Sequence, residues 1–590
     1  MCISEAAHEA GLSLHLPCGG KGKCGKCRVT VLSGKVSEPT EEELAALTEQ
    51  ELALGVRLAC MALLEGDAVV ELPPEARVIG TKALNGDLVR SVGIAPNVHQ
   101  IPLKLPPPRL EDQRSDFSRL RDGLATFAPE LAVCPAVLRI LPAMMREGKF
   151  EVVASVVGSR LVDVTPGTMR PRTLGVAVDI GTTTVVAYLV DLLTGKQLTT
   201  AAAYNEQGRH GADVISRIEY CNTREGGLAE LRSLVLGTIN GVIGEALAES
   251  GCDAQSVYEV TVVGNTAMSH LFMGLDPRYL AQAPYIPVTA GPHQLRPDDA
   301  GLDMHPRGSV FCLPTIAGFV GADTVGVLLA TEIVEREHAV LAVDIGTNGE
   351  VALWSGERLL VASCAAGPAF EGAQIEHGMR AAPGAIEHVM LRDGDIELQT
   401  IADQPAVGIC GSGLFDAMAR VLELGVVGSS GRFRDSAASE GLSAQLLRRI
   451  VGEGNERRFI LSDPDEASPI YLSQRDVRQL QLAKGAVRAA VEILLEVAGL
   501  KPEDLGEVLL AGAFGNYVDP ASALRMGMLP PLPLERIKGV GNAAGAGALL
   551  ALISVEERRR ASALAAAAEH IELSQRPEFQ MAFMDAMMFP

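Results

Sequence analysis

The segment Val176-Ala177-Val178-Asp179-Ile180-Gly181-Thr182 recurs 165 residues later as Leu341-Ala342-Val343-Asp344-Ile345-Gly346-Thr347, identical at six of seven positions. A recurrence of this quality points to duplication of one folding unit. The period is far longer than the roughly 20–50 residues of a solenoid repeat, so two similar lobes facing each other are expected. In each copy an apolar run ends in Asp and breaks at Gly-Thr, the pattern of a buried strand entering a tight turn. From Thr173 onwards short apolar strands run repeatedly into Gly-rich turns and then helices, the alternation of an α/β domain.

The chemistry of the repeat is that of phosphate binding. Gly181 and Gly346 permit a tight turn and close approach of phosphate to main-chain amides. The hydroxyls of Thr182, Thr183, Thr184 and Thr347 add donors, and Asn348 follows the second turn. Asp179 and Asp344, at the strand ends, suit holding water on Mg²⁺ or orienting an attacking water. No Gly-x4-Gly-Lys-Ser/Thr motif is present, so the site is not of Walker type. Further strand-to-Gly turns follow: Val263-Gly264-Asn265-Thr266, Gly408 to Gly413, Gly512-Ala513-Phe514-Gly515 and Gly541 to Gly547. Taken singly, each is no more than a site of close helix packing. In this order they resemble the acetate and sugar kinase/heat-shock chaperone/actin superfamily. The resemblance implies that Asp179 to Thr184 and Asp344 to Asn348 are the two phosphate motifs. It implies that Gly512 to Gly515 meets adenosine, and that Gly264-Asn265 and Asn542 to Gly547 are connecting motifs. ATP and Mg²⁺ would lie in a cleft between two actin-like lobes. Asp323 has two readings: a group near the nucleotide, or a helix N-cap.

Four of the eleven cysteines fall between Cys18 and Cys60, as Cys18-x5-Cys24-x2-Cys27-x32-Cys60. Thiolates are soft ligands, and four of them suit an iron–sulfur cluster or zinc. Structural zinc usually takes paired Cys-x2-Cys or His pairs, and here the second half is one lone cysteine, which favours a 2Fe–2S cluster. Gly19, Gly20, Gly22 and Gly25 let the backbone wrap a compact object closely. Lys21, Lys23, Lys26 and Arg28 offset the charge of the thiolates. Cys2 is the alternative to Cys60, set aside because Leu58-Ala59-Cys60 precedes the last strand, Ala68 to Leu72. Thr40 followed by Glu41, Glu42 and Glu43 reads as a capped helix start. This stretch resembles a β-grasp ferredoxin domain, with five residues between the first two cysteines as in adrenodoxin-like ferredoxins. It departs from that pattern at the start. Such domains open with a β-hairpin, whereas here the helix-like Ser4 to Ala10 begins almost at Met1, so the hairpin is missing or lies upstream.

These features divide the chain into a ferredoxin-like domain over 1–74, a Pro-rich linker over 75–108, a small middle domain over 109–172 and a two-lobed actin-like ATPase domain over 173–590. The fold class is α/β multidomain. The 590 residues carry a net charge of −22 and only 4% aromatic side chains. Nucleic acid is therefore a poor partner by charge and by stacking, and so is an anionic membrane surface. No basic, apolar leader is visible at the start, and the uncharged run Gly539 to Val555 reads as a buried helix rather than a span. A cytoplasmic location is expected.

An electron carrier and an ATP clamp on one chain suggest ATP-coupled electron transfer. The whole order resembles the reductive activators of corrinoid-dependent enzymes. The likeness includes Cys18 to Cys27, Gly211-Ala212-Asp213-Val214-Ile215-Ser216-Arg217 and Asp344 to Glu350. It implies docking on a corrinoid protein or corrinoid methyltransferase and one-electron reduction of Co(II) to Co(I) by the 2Fe–2S cluster. ATP use would make the uphill step possible, an external low-potential donor would refill the cluster, and the activator would be a homodimer. Two other readings stand beside this one: a small-molecule kinase with an accessory cluster, and an electron-relay module switched by nucleotide.

Overall fold

The computed structural model describes residues 1–9, 22, 25, 27–71, 92–169, 172–372, 374–434, 442–512 and 518–590. In the first unit the strands Arg28–Val36, Val56–Leu58 and Leu64–Glu71 form an antiparallel sheet with Arg28–Val36 in the middle. Among the described residues no strand precedes the helix Ile3–Glu9; a single bridge pairs Cys2 with Leu63 instead. Helix Glu41–Ala46 starts as its sequence predicts. Thr40 Oγ1 accepts from the Glu43 amide at 3.3 Å and Glu43 Oε2 accepts from the Thr40 amide at 3.1 Å, a reciprocal capping box. Glu43 also accepts from Arg57 Nε and Nη2 and from the Leu58 amide, at 2.8–2.9 Å. Burial pushes its carboxyl up, but Arg57 and the amides outweigh burial and hold it below the usual range. Ile3, Cys27, Val29, Leu47, Leu58, Ala59 and Ala62 form this unit's own core.

The second unit corrects one boundary. Val98–Lys104, within the segment expected to be linker, is a strand pairing antiparallel with Glu151–Val157 and placing Pro102 opposite Val153. It is an edge strand, with Val98–Lys104, Glu151–Val157, Arg160–Pro166 and Ala132–Val133 in that order. Pro102 is tolerated because an edge strand has one side free of ladder bonds. The small unit thus begins by Val98, not at Arg109.

The rest is organised on two sheets of six strands, each built around one copy of the repeat, with two small three-stranded sheets between Ala385 and Ser473 added to the second half. In the first, Leu174–Ile180 pairs antiparallel with Thr184–Asp191 and parallel with Val257–Gly264. In the second, Ala339–Ile345 pairs antiparallel with Gly349–Trp354 and parallel with Leu505–Ala511. The shared arrangement supports the duplication. Between the sheets lie helices Ala322–Thr331 and Ala543–Ile553, the latter buried along its whole length. One apolar core runs across both lobes through these helices, from Ala177 and Tyr188 to Val340 and Ala342. The apolar helix Gly227–Glu249 is long enough to cross a membrane; here Leu231, Val235, Ile239 and Val242 pack into the first lobe's core.

Three units meet at Glu259. Its carboxylate receives Arg558 Nη1 at 3.0 Å and Nη2 at 2.7 Å, and Asn97 Nδ2 at 2.8 Å. Asn97 belongs to the small unit, Glu259 to the first lobe and Arg558 to helix Val555–Ala567 near the end of the chain.

Candidate functional site

Strand register assembles the cleft. The parallel pairing sets Asp179 beside Val263 and Ile180 beside Gly264, so the first expected phosphate turn and the Gly264-Asn265 turn leave the sheet together. In the second lobe Asp344 pairs with Ala511, which places Gly512 against the second phosphate turn. Ends of parallel strands at one sheet edge are where α/β folds bind ligands. Gly512 has φ +98°, and a Cβ there would lie 2.6 Å from Asp344 Oδ1, so only glycine fits.

Each of the two repeat turns is closed by its own backbone. The Gly181 amide donates to the Thr184 carbonyl at 3.0 Å, and the Gly346 amide to the Asn348 carbonyl at 3.1 Å. The first turn is braced from three sides. Asn205 Nδ2 donates to the Gly181 carbonyl at 2.9 Å, Arg217 Nη2 to the Thr182 carbonyl at 2.5 Å and Asn265 Nδ2 to Thr182 Oγ1 at 3.0 Å. Arg217, from the segment Gly211 to Arg217, is wholly buried; burial lowers its pKa to about 10. Asn265 caps helix Thr266–Met273 through Oδ1 while its amide holds Thr182. Asn542 works the same way at helix Ala543–Ile553. Its Oδ1 caps the Gly545 amide, and its Nδ2 donates to Asp179 Oδ2 at 2.8 Å and to Tyr188 Oη at 3.1 Å.

Four acids gather behind the turns. Burial, and then the charge of Asp323, push Asp179 up to about 7. Burial, then Asp323 and Asp179, push Asp344 up to about 8. Glu350 is raised by burial and by Asp323 and Asp344, and Ser363 Oγ donates to it at 3.3 Å. Asp323 sits in the first turn of Ala322–Thr331, not at its N-cap, which is Gly321. Its carboxylate accepts from the Thr324 amide at 2.7 Å, and its charge reaches the other three acids. The helix N-cap reading of Asp323 is therefore excluded. Such mutual repulsion is relieved when a cation enters. Among the described residues no group of three or more His, Cys, Asp or Glu side chains converges to enclose a metal ion.

Sequence reasoning missed Glu371. It lies in the short 3-10 turn Pro368–Glu371, and its carboxylate accepts from Thr183 Oγ1 and from Thr347 Oγ1, both at 2.5 Å. It therefore bridges the two phosphate turns. The only sequence signal is an acid beside Gly372, after the third strand of the second repeat.

In the first unit Cys27 Sγ and Cys60 Sγ lie 3.3 Å apart. A disulfide would need about 2.05 Å, whereas two thiolates on one metal ion with bonds of about 2.3 Å lie within 4 Å of each other. The Ala59 amide donates to the Cys27 carbonyl at 2.8 Å, so backbone pairing brings these two cysteines together. Cys2 Sγ lies 3.0 Å from Ser4 Oγ. Cys18 and Cys24, with Gly515 of the expected adenosine turn, lie outside the described residues.

Fold and sites define an actin-like ATPase of two lobes joined to a 2Fe–2S ferredoxin-type domain. Comparison with known families agrees. Residues 1–65 match the 2Fe-2S iron-sulfur cluster binding domain, 87–170 the RACo linker region, 174–336 the RACo middle region and 338–590 the C-terminal ASKHA domain of RACo. The chain is 33% identical to the corrinoid activation enzyme RamQ of Eubacterium limosum over 100% of its own length and 96% of that protein. It is 28% identical to a [Co(II) methylated amine-specific corrinoid protein] reductase of Methanosarcina barkeri, covering 60% of this chain and 66% of that one. A solved structure of a reductive activator for corrinoid,iron-sulfur protein superposes with a TM-score of 0.77 at 34% identity, covering 100% and 96% of the two chains. The chain belongs to the RACo family, the reductive activators of corrinoid-dependent enzymes.

Proposed function

We propose that this chain is an ATP-dependent reductive activator that returns the cobalt of a partner corrinoid protein from Co(II) to Co(I). The observation that carries this reading is the joining, on one chain, of a close cysteine pair and a two-lobed phosphate cleft, in an order shared end to end with a corrinoid activation enzyme. Every 59 mV of uphill one-electron transfer costs about 1.4 kcal/mol, and nucleotide binding and hydrolysis can offset that.

Cys18, Cys24, Cys27 and Cys60 would hold the cluster, with Cys27 and Cys60 on one iron. A bound 2Fe–2S cluster supplies one electron at a time. Gly181 to Thr184 and Gly346 to Asn348 would take the phosphates, and Gly512 to Gly515 the adenosine. Asp179 and Asp344 would hold the water shell of a Mg²⁺ ion or orient the attacking water. Mg²⁺ commonly binds through one or two carboxylates plus phosphate oxygens, which fits acids that do not themselves close a cage. We further assign the cluster domain to residues 1–74, the small unit to a start by Val98, and the ATPase lobes to 173–590. An external low-potential donor, a homodimeric state and a cytoplasmic setting complete the reading.

The test is anaerobic. Reduced protein is mixed with a Co(II) corrinoid protein, with and without ATP, and Co(I) is followed by its absorbance. ATP-dependent Co(I) is the expected outcome. Phosphorylation of a small molecule with no Co(I) would replace this reading with a kinase.

A further inference from the structure

Glu371 occupies an unusual place for a carboxylate. One oxygen accepts from Thr183 in the first phosphate turn, the other from Thr347 in the second. A threonine hydroxyl carries one proton to donate, and here both protons are spent on the same acid. Two observations indicate that this position is built rather than incidental. Phe370, next to Glu371, is wholly buried and packs on Phe415 at 4.7 Å between ring centroids, which pins the turn Pro368–Glu371. A second contact also crosses the cleft, with the Arg380 guanidinium 4.0 Å from the ring centroid of Tyr204. The hydroxyls that Glu371 holds are those the two turns would offer to a phosphate.

We propose that Glu371 is a latch: its carboxylate takes the place of a nucleotide's terminal phosphate, ties the two phosphate turns together across the cleft, and is displaced when a nucleoside triphosphate binds. This rests on reading the cleft as a nucleotide site. Two anions cannot accept the same hydroxyl protons, so Glu371 and the terminal phosphate compete. A nucleotide lacking that phosphate need not break the latch. The lobes would then be held by the protein's own carboxylate before ATP arrives and by the phosphate afterwards, and the movement of Glu371 would mark the exchange.

The test uses the full chain and two probes, the non-hydrolysable triphosphate AMP-PNP and AMP, titrated calorimetrically into the wild type, Glu371→Gln and Glu371→Asp. Asp keeps the charge but is too short to span both turns, so it separates the latch from simple charge repulsion. Both variants should bind AMP-PNP about tenfold more tightly, which is about 1.4 kcal/mol, with AMP affinity unchanged. Unchanged or weaker AMP-PNP binding in both variants would overturn the latch. So would tighter binding in Glu371→Gln alone, which charge removal explains. A wild type that binds neither probe would instead remove the nucleotide-site reading on which the latch stands.

Discussion

Asp179 and Asp344 end matching strands, yet their surroundings differ. Asp179 receives the Asn542 amide, while Asp344 faces the bare Cα of Gly512. Removing the Asp179 carboxylate leaves Asn542 its cap on Gly545 and its bond to Tyr188, so the fold should tolerate Asp179→Ala. ATP hydrolysis should fall at least about a hundredfold, the range of a lost positioned acid or base, while the visible spectrum of the cluster stays unchanged. A steady-state ATPase assay beside an absorption scan checks both; loss of both would mean the two modules are misassigned. Asp179, Asp344 and their turns are readable from the amino-acid sequence because duplication marks residues twice. Asp323 and Glu371 carry no such mark. Asp323 reaches the acids only through the helix between the lobes. Glu371 reaches Thr183 across 188 residues of chain, a separation no local pattern encodes.

The two helices between the lobes show what composition cannot. The run Gly541 to Gly547 reads singly as close packing and, in order with the other Gly-rich turns, as a connecting motif, and the structure makes Gly326 and Gly547 the point where the two helices cross. A Cβ on Gly547 would lie 2.2 Å from the Gly326 carbonyl oxygen, backbone that cannot step aside. Gly547→Ala should therefore destabilise the protein by about 1–3 kcal/mol, the cost of overpacking. Gly244→Ala, in the exposed flank of helix Gly227–Glu249 with open space around it, should stabilise by about 0.5–1 kcal/mol. Opposite shifts in thermal melting are the check. The join between the small unit and the first lobe carries a pH signature. Arg307 Nη2 donates to Asp163 at 3.1 Å, and beside it the buried His305 stacks on Tyr258 at 4.5 Å. Burial, and then the charge of Arg307, lower His305 to about 4. Below about pH 6.5 the unfolded chain takes up a proton that the folded chain refuses, so the unfolded state binds more protons in this window. Stability is thus fully present above about pH 6.5 and is lost as pH falls towards 4, by up to about 3 kcal/mol for this one histidine. Melting temperatures from pH 7 to 5 should fall, and less steeply in His305→Phe, which keeps the stack without the titration.

Across the whole molecule the architecture follows from where the cores close. Among the described residues the cluster unit has a core drawn only from residues 3–70, whereas the two lobes share one core through their crossing helices and Glu259 ties the small unit to both Val257–Gly264 and helix Val555–Ala567. Sequence patterns separate the parts whose cores are separate and misplace the boundary at Val98, because a strand that contains Pro102 and lies beside a proline run looks like linker until its partner strand is known. The separate cores decide which cut the protein should survive. A chain beginning at Val92 keeps Ala95, whose amide donates to the Ile553 carbonyl at 2.9 Å, together with Asn97 and every core residue of the lobes. It should fold, bind AMP-PNP with an affinity within about twofold of the full chain, and show no iron–sulfur absorbance. With the expected phosphate turns intact and Cys18, Cys24, Cys27 and Cys60 gone, it should also fail to make Co(I) at any ATP concentration. Calorimetry, an absorption spectrum and the anaerobic cobalt assay on the one truncated chain test this together. A truncated chain that loses nucleotide binding would show that the cluster unit is part of the ATPase fold rather than a carrier attached to it.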